Sequence, residues 1–118
     1  MKLSADFSRA EFKCNCGICD YDTVDSELID VLQLLRSYIG SPIDITSGNR
    51  CAEYNQSIGG AKSSYHIRGR AADIQVEGAS PAVIQNYLKT AYPDKFGIGS
   101  YSSFTHIDTR TKKARWNG

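Results

Sequence analysis

The sequence predicts an α+β fold: a small antiparallel sheet with helices packed to one side, in a single domain spanning residues 1–118. Three observations carry this expectation. Residues 24–39 repeat apolar side chains at helical spacing, Ser80-Pro81 opens a second helical pattern, and short alternating or β-branched stretches occur between and after them. Such a mixed order, with the last strands clustered together, favours helices gathered on one face of a sheet. A chain of 118 residues, 41% hydrophobic and 23% charged, is long enough for one core.

Taken in order, residues 1–23 read as an irregular lead-in. Ser8, with Glu11 three positions later, gives a capping-box pattern for one helical turn, and a Cys-rich loop follows. In residues 24–39, Leu28, Leu32, Leu35 and Ile39 recur at intervals of four, three and four, and Val31, Leu34 and Tyr38 widen the stripe. Gly40 and Pro42 end that helix. Residues 43–47 alternate and end at Gly48, so they form a strand with Arg50 just beyond it. Residues 51–58 form a helical turn before Gly59-Gly60, and residues 71–76 form a second strand. Ser80 caps a helix with Pro81 in its first turn, running to about Ala91 with Val83, Ile84, Tyr87 and Leu88 on its apolar face. Residues 96–101, 104–109 and 114–116 complete the chain as two or three short strands.

A formal net charge of +1 and scattered basic residues argue against nucleic acid as a partner. The N-terminal residues lack the apolar run of a signal peptide, and no later segment approaches membrane-spanning length. The expectation is a monomer made in the cytoplasm without a signal peptide and without membrane insertion.

Four cysteines occur: Cys14, Cys16, Cys19 and Cys51. In a reducing compartment such a cluster more often marks thiols or a metal site than disulfides. The spacing fits a second, structural zinc held by four thiolates, although the paired C-x2-C knuckles are missing. Reduced thiols, or a bridge such as Cys14 to Cys51, are the alternatives.

The chain has only two histidines. His66 stands seven residues before Asp73 across a glycine turn, and His106 lies in a second patterned stretch with Asp108 beside it. Two imidazoles and a carboxylate are the ligand set of a hydrolytic zinc ion with an open fourth position. Strand alternation puts His106 and Asp108 on one face with Ile107 on the other, and Ala71, Asp73 and Gln75 together on one face of the preceding strand. Asp73, His106 and Asp108 can thus meet in one cleft, with His66 on the turn that leads into it.

The stretch Ser64-x-His66-x2-Gly69-x-Ala71-x-Asp73 resembles the S-x-H-x2-G-x-A-x-D motif of the zinc D-alanyl-D-alanine carboxypeptidase family, and most closely its small phage and bacterial peptidoglycan-peptidase branch. Residues 45–50, ending Ser47-Gly48-Asn49-Arg50, resemble that family's strand ending in S-G-x-R. Gly59-Gly60-Ala61 matches its small-residue turn, and His106-Ile107-Asp108-Thr109-Arg110 its H-x-D-x-R ending. The resemblance runs from about Phe7 to Arg110.

It implies that His66, Asp73 and His106 bind Zn2+, and that Arg50 lies in the cleft to hold a substrate carboxylate or stabilise a developing oxyanion. It places Ser64 in the same pocket. The implied activity is hydrolysis of peptide bonds in peptidoglycan stem peptides or cross-links by zinc-bound water, of carboxypeptidase or endopeptidase type. The implied setting is a phage or prophage lysis enzyme (an endolysin) reaching the cell wall after release, or a component of a phage particle. One departure stands out. Many relatives carry Glu or Asp three residues before the last histidine, as the base, and this chain has Ser103 there. Asp108 is the nearest carboxylate for that role, or else the hydrogen-bond partner of a ligand imidazole. Glu53 and Glu77 enter only if the fold brings them close. The alternative function is a non-catalytic zinc-containing protein that binds cell-wall peptides or a protein partner.

Overall fold

The computed structural model describes every residue except Met1, Asp20, Tyr21, Thr23, Lys62 and Ser63; the parts of the lead-in at those positions lie outside the described residues. The Ser8 and Glu11 pattern forms as expected: the Ser8 N–H donates to the Glu11 carboxylate at 2.7 Å and opens a 3-10 turn over Arg9–Phe12. That turn buries Phe12 near Phe7, with ring centroids 6.2 Å apart.

Helix α1 (Ser26–Ile39) begins where the Asp25 carboxylate accepts the Leu28 N–H. It ends where Gly40 takes a left-handed φ of 73° and its N–H returns to the Arg36 carbonyl at 2.9 Å. The buried face is Leu28, Ile29, Val31, Leu32 and Leu35. Leu34 and Tyr38, expected to widen the stripe, are 59% and 70% exposed. The buried stripe is shifted toward the Ile29 flank of the helix, which leaves Leu34, on the opposite flank, at its solvent edge. Tyr38 instead stacks on Tyr87 at 4.6 Å.

Strand β1 (Ile43–Ser47) leads to a short helix α2 (Ala52–Ser57), then β2 (Ala71–Val76), helix α3 (Pro81–Ala91), β3 (Gly97–Ser100), β4 (Thr105–Asp108) and β5 (Ala114–Asn117). On α3 the buried residues are Ile84, Gln85 and Leu88, while Val83 is exposed and Tyr87 partly covered. Gln85 is tolerated inside because its amide donates to the carbonyl of Tyr101 at 3.1 Å and to Thr105 Oγ1 at 3.2 Å. Among the described residues no helix is long and apolar enough to cross a membrane.

The sheet order is β1-β2-β4-β3-β5. Every neighbouring pair is antiparallel except β3 with β5, so the sheet is antiparallel with one parallel edge. The short link over residues 109–113 crosses the start of β3, and β5 therefore begins opposite Gly97 and runs alongside β3. Strand alternation divides the sheet cleanly. Ile43, Ala72, Ile74, Val76, Ile98 and Ile107 join Leu28, Leu32, Leu35, Ile84 and Leu88 in the core. The residues between them, Asp73, His106 and Asp108, stand on the opposite face, away from α1 and α3.

Candidate metal centre and cleft

The register sets the site. Asp73 of β2 pairs with His106 of β4, which pairs with Gly99 of β3, which pairs with Trp116 of β5. Two residues along, Ala71, Asp108, Gly97 and Ala114 form the next row on that face. A bulge in β1 between Ile45 and Ser47 brings Ser47 opposite Asp73. His66 comes from the turn ahead of β2, where Ser64 Oγ accepts the His66 N–H at 3.2 Å and the Arg50 N–H donates to the His66 carbonyl at 3.1 Å.

The three ligands expected from sequence meet. His66 Nε2 lies 3.4 Å and His106 Nδ1 lies 3.0 Å from the same oxygen of Asp73, Oδ1. Four donors about 2.05 Å from a tetrahedral zinc lie about 3.3 Å from one another, so this spacing fits the ion. The tautomers fit as well. His66 Nδ1–H donates to the Gly48 carbonyl at 2.7 Å, which leaves Nε2 as the ligand atom. His106 Nε2 meets Asp108 Oδ2 at 2.7 Å, which leaves Nδ1 facing Asp73 and His66. Both rings are thus held through the nitrogen turned away from the cluster, the usual support for metal-binding histidines.

Charge follows the same wiring. Burial pushes the Asp73 carboxyl up, but hydrogen bonds from His106 and His66 outweigh it and hold the group well below the ordinary carboxylate range. Asp108 behaves alike: burial opposes ionisation, and the bonds from His106 and Arg110 overrule it. Burial disfavours the His106 cation, yet the bonds to Asp108 and Asp73 leave its pKa raised.

Asp108, expected either as a base or as the partner of a ligand imidazole, sits where the second role belongs. It is fully buried, and five donors converge on its two oxygens: His106 Nε2, the N–H groups of Gly97 and Arg110 at 3.1 Å each, and Arg110 Nε and Nη2 at 2.8 and 2.7 Å. Ser103 is exposed and its carbonyl accepts from Gln75 Nε2; it lines a separate hollow with Gln75 and Val76. Glu53 and Glu77 do not line the cleft.

Arg50 and Ser64 both line that cleft, which encloses about 600 Å³ together with Tyr65, Tyr101, Phe104, Arg110 and Trp116. Arg50 donates through Nε to Ser47 at 3.2 Å, through Nη1 to Asn55 at 3.1 Å and through Nη2 to the outer oxygen of Asp73 at 3.3 Å. Three of its five N–H groups are therefore spent, and one remains on each Nη. Among the described lining residues, Asp73 is the one carboxylate.

Several functional positions escaped the sequence reading. Arg110 clamps Asp108 and lies over the rings of Tyr65 and Trp116, 4.6 and 5.2 Å from their centroids. Asn55 ties Arg50 to the loop before His66, its amide donating to the Ala61 carbonyl at 2.8 Å. Gly97 and Gly99 keep the sheet face open: a Cβ on Gly97 would fall into the Asp108 carboxylate, and one on Gly99 would come within 2.6 Å of Trp116 Nε1. The Phe-Gly-Ile-Gly-Ser pattern of residues 96–100 was the available signal, since glycine inside a strand marks close approach of another group.

Fold and site together define a small α+β domain of metallohydrolase type, with a His-Asp-His cluster at the wall of an open cleft. The chain belongs to the Peptidase M15 family, whose profile matches residues 5–108. It is 35% identical over 97 residues to the peptidoglycan L,D-endopeptidase MepK of Escherichia coli K12, an alignment covering 74% of this chain and 52% of that protein. It is 32% identical over 81 residues to the probable peptidoglycan L,D-endopeptidase MepK of Haemophilus influenzae, covering 64% of this chain and 43% of the relative. The chain thus spans about half the length, or less, of these curated relatives.

Proposed function

We propose that this domain is a zinc-dependent peptidase that cleaves peptide bonds of peptidoglycan. The observation that carries the reading is the convergence of His66 Nε2, Asp73 Oδ1 and His106 Nδ1 at tetrahedral spacing on the wall of an open cleft. Similarity to two proteins named L,D-endopeptidases supports peptidoglycan as the substrate class and an L,D bond as the first cleavage to test.

Zinc, when bound, supplies a Lewis acid for the scissile carbonyl and lowers the pKa of a coordinated water. The protein's own side chains do the positioning. Arg50 offers its two remaining N–H groups to a carboxylate of the stem peptide or to the oxyanion that develops on the carbonyl, while its Nη2 contact steadies the outer oxygen of Asp73. Ser64 lines the pocket and keeps the His66 backbone in place by accepting its N–H. Tyr101 and Phe104, stacked at 4.3 Å, give the far wall an apolar surface against which a peptide side chain can lie. Asp108 acts through His106: it fixes the tautomer and keeps the ring on the ligand bearing.

A second reading, a zinc-containing protein that binds cell-wall peptides without cutting them, draws on one observation. The single carboxylate among the described cleft-lining residues, Asp73, is committed as a ligand, so no side chain there is an evident proton acceptor. Zinc-loaded protein incubated with purified peptidoglycan separates the two. New amino termini and altered muropeptides that disappear in the His66→Ala variant support the peptidase, and mass spectrometry of the fragments identifies the bond. Retention on peptidoglycan with no cleavage across pH 6 to 9, about the range in which zinc-bound water ionises, overturns it.

A further inference from the structure

The Cys-rich loop lies outside the cleft, and the reaction makes no use of it. Cys14, Cys16 and Cys19 come from the stretch between the 3-10 turn and α1, whose described residues form neither strand nor helix, and Cys51 caps α2. One sulfur from each approaches within 4.8 Å of all the others, although Cys51 is 32 positions beyond Cys19. Cys16 and Cys19 have their Sγ atoms 3.3 Å apart, and Cys14 and Cys51 3.8 Å apart. All four are thiols. Sulfurs on a tetrahedral zinc, with Zn–S near 2.3 Å, stand about 3.8 Å from one another, inside this range.

The backbone around the sulfurs has the form such a site requires. The N–H groups of Ile18 and Cys19 donate to Cys16 Sγ at 3.4 and 3.3 Å, that of Cys51 to Cys14 Sγ at 3.3 Å, and that of Tyr54 to Cys51 Sγ at 3.4 Å. Four amide donors aimed at sulfur stabilise negative charge there, the second layer that tetrathiolate centres use. Gly17, with φ 77°, lets the loop double back so that two of those amides reach one sulfur. Apolar burial does not account for the loop's shape, since Ile18 at its tip is 93% exposed.

We propose that Cys14, Cys16, Cys19 and Cys51 form a structural zinc site that clasps the N-terminal loop to the start of α2. The four thiols bind as thiolates and release four protons, with no change of oxidation state. All four positions of the ion are filled by sulfur, so the site is closed to water and serves architecture rather than hydrolysis. Its place in the fold gives it a job. Cys51 follows Arg50 directly, and the next turn carries Asn55, which holds the Arg50 guanidinium. The clasp therefore fixes the wall of the cleft from behind.

The test counts metal on the full chain, expressed with zinc, kept reduced and freed of loose metal. Wild type is expected to hold two zinc ions per chain. The double variant His66→Ala, His106→Ala should keep one, and the double variant Cys16→Ser, Cys19→Ser should also keep one. Replacing zinc by cobalt in the wild type should give a thiolate-to-cobalt charge-transfer band, which only the cysteines can produce. The clasp is refuted if the histidine variant binds no zinc and the cobalt protein shows no such band. It is equally refuted if freshly purified chain has lost four hydrogens to two disulfides. Because the two sites are counted separately, failure of the His-Asp-His site leaves one zinc and the thiolate band intact. Where a variant does not fold, the cobalt spectrum of the wild type decides.

Discussion

Replacing Asp108 with Asn probes how the site is held together, because it keeps the shape and changes only the donors and charge. In its better orientation the amide oxygen takes the place of Oδ1 and keeps the three bonds from Gly97 N, Arg110 N and Arg110 Nε. The amide NH2 then stands at Oδ2, facing two donors, His106 Nε2–H and Arg110 Nη2–H. Arg110, partly exposed, can turn its Nη2 to solvent, so that share of the loss is small. His106 is nearly buried and has no such outlet. Its way out is to move the proton to Nδ1, the nitrogen that faces the metal ligands. A charge-assisted bond of this kind is worth about 1.5–3 kcal/mol. Loss of a ligand's supporting partner weakens metal affinity about 10–100-fold, or ~1.4–2.8 kcal/mol, so the two figures agree. The assay is zinc affinity by competition with a chromogenic chelator, beside turnover of peptidoglycan fragments as free zinc is raised. The expected result is a weaker zinc constant and activity that returns at high zinc. Unchanged zinc affinity with turnover lowered about 100-fold or more would refute the reasoning and make Asp108 a chemical base.

Three other outcomes follow from the same geometry. Gly97→Ala puts a methyl group into the Asp108 carboxylate, so it should weaken zinc binding about 10–100-fold while circular dichroism shows the sheet intact. Arg50→Ala should raise KM for carboxylate-bearing fragments about 10–100-fold, the worth of a charged hydrogen bond, with the His-Asp-His zinc retained by metal analysis; an unchanged KM removes Arg50 from substrate binding. Leu32→Ala, at a fully buried position of α1, should lower unfolding free energy by about 2–5 kcal/mol in urea titration without changing zinc stoichiometry.

The elements and the three side chains that converge at the cleft were legible in the sequence because each has a local signature. Gly40 and Pro42 mark the end of α1, Ser80-Pro81 opens α3, and alternation around Asp73 and His106 put both on one face. What the sequence did not carry was pairing between strands distant in the chain. The parallel edge formed by β5 depends on which side of β3 receives it, and nothing in residues 114–117 encodes that choice. The same gap hid the role of Arg110. Its place after His106-x-Asp108 was visible, but its bidentate hold on Asp108 requires the carboxylate to lie beneath it, in space cleared by Gly97 on a neighbouring strand. Leu34 and Tyr38 failed for another reason: periodicity gives the direction of an apolar stripe but not its width, which is set by what packs against it.

The two rows across the sheet explain why ligands and supports come from consecutive positions of the same strand. In β4, His106 and Asp108 share a face, so the imidazole and the carboxylate that steers it are two residues apart and need no second element to bring them together. Ile107 between them is fully buried against α1 and α3, and this pins the register: a slip by one residue would send Asp73 and His106 into the core and Ile107 into the cleft. Packing on the helical side thus holds Asp73 and His106 on the other. His66, by contrast, is supplied by a turn. Its position depends on the Gly48 carbonyl, the Arg50 amide and Ser64, all of them loop atoms at the end of β1 or in the segment before β2. Of the three converging residues, His66 is therefore the one whose placement depends most on the loops around α2, next to the cysteine cluster that includes Cys51.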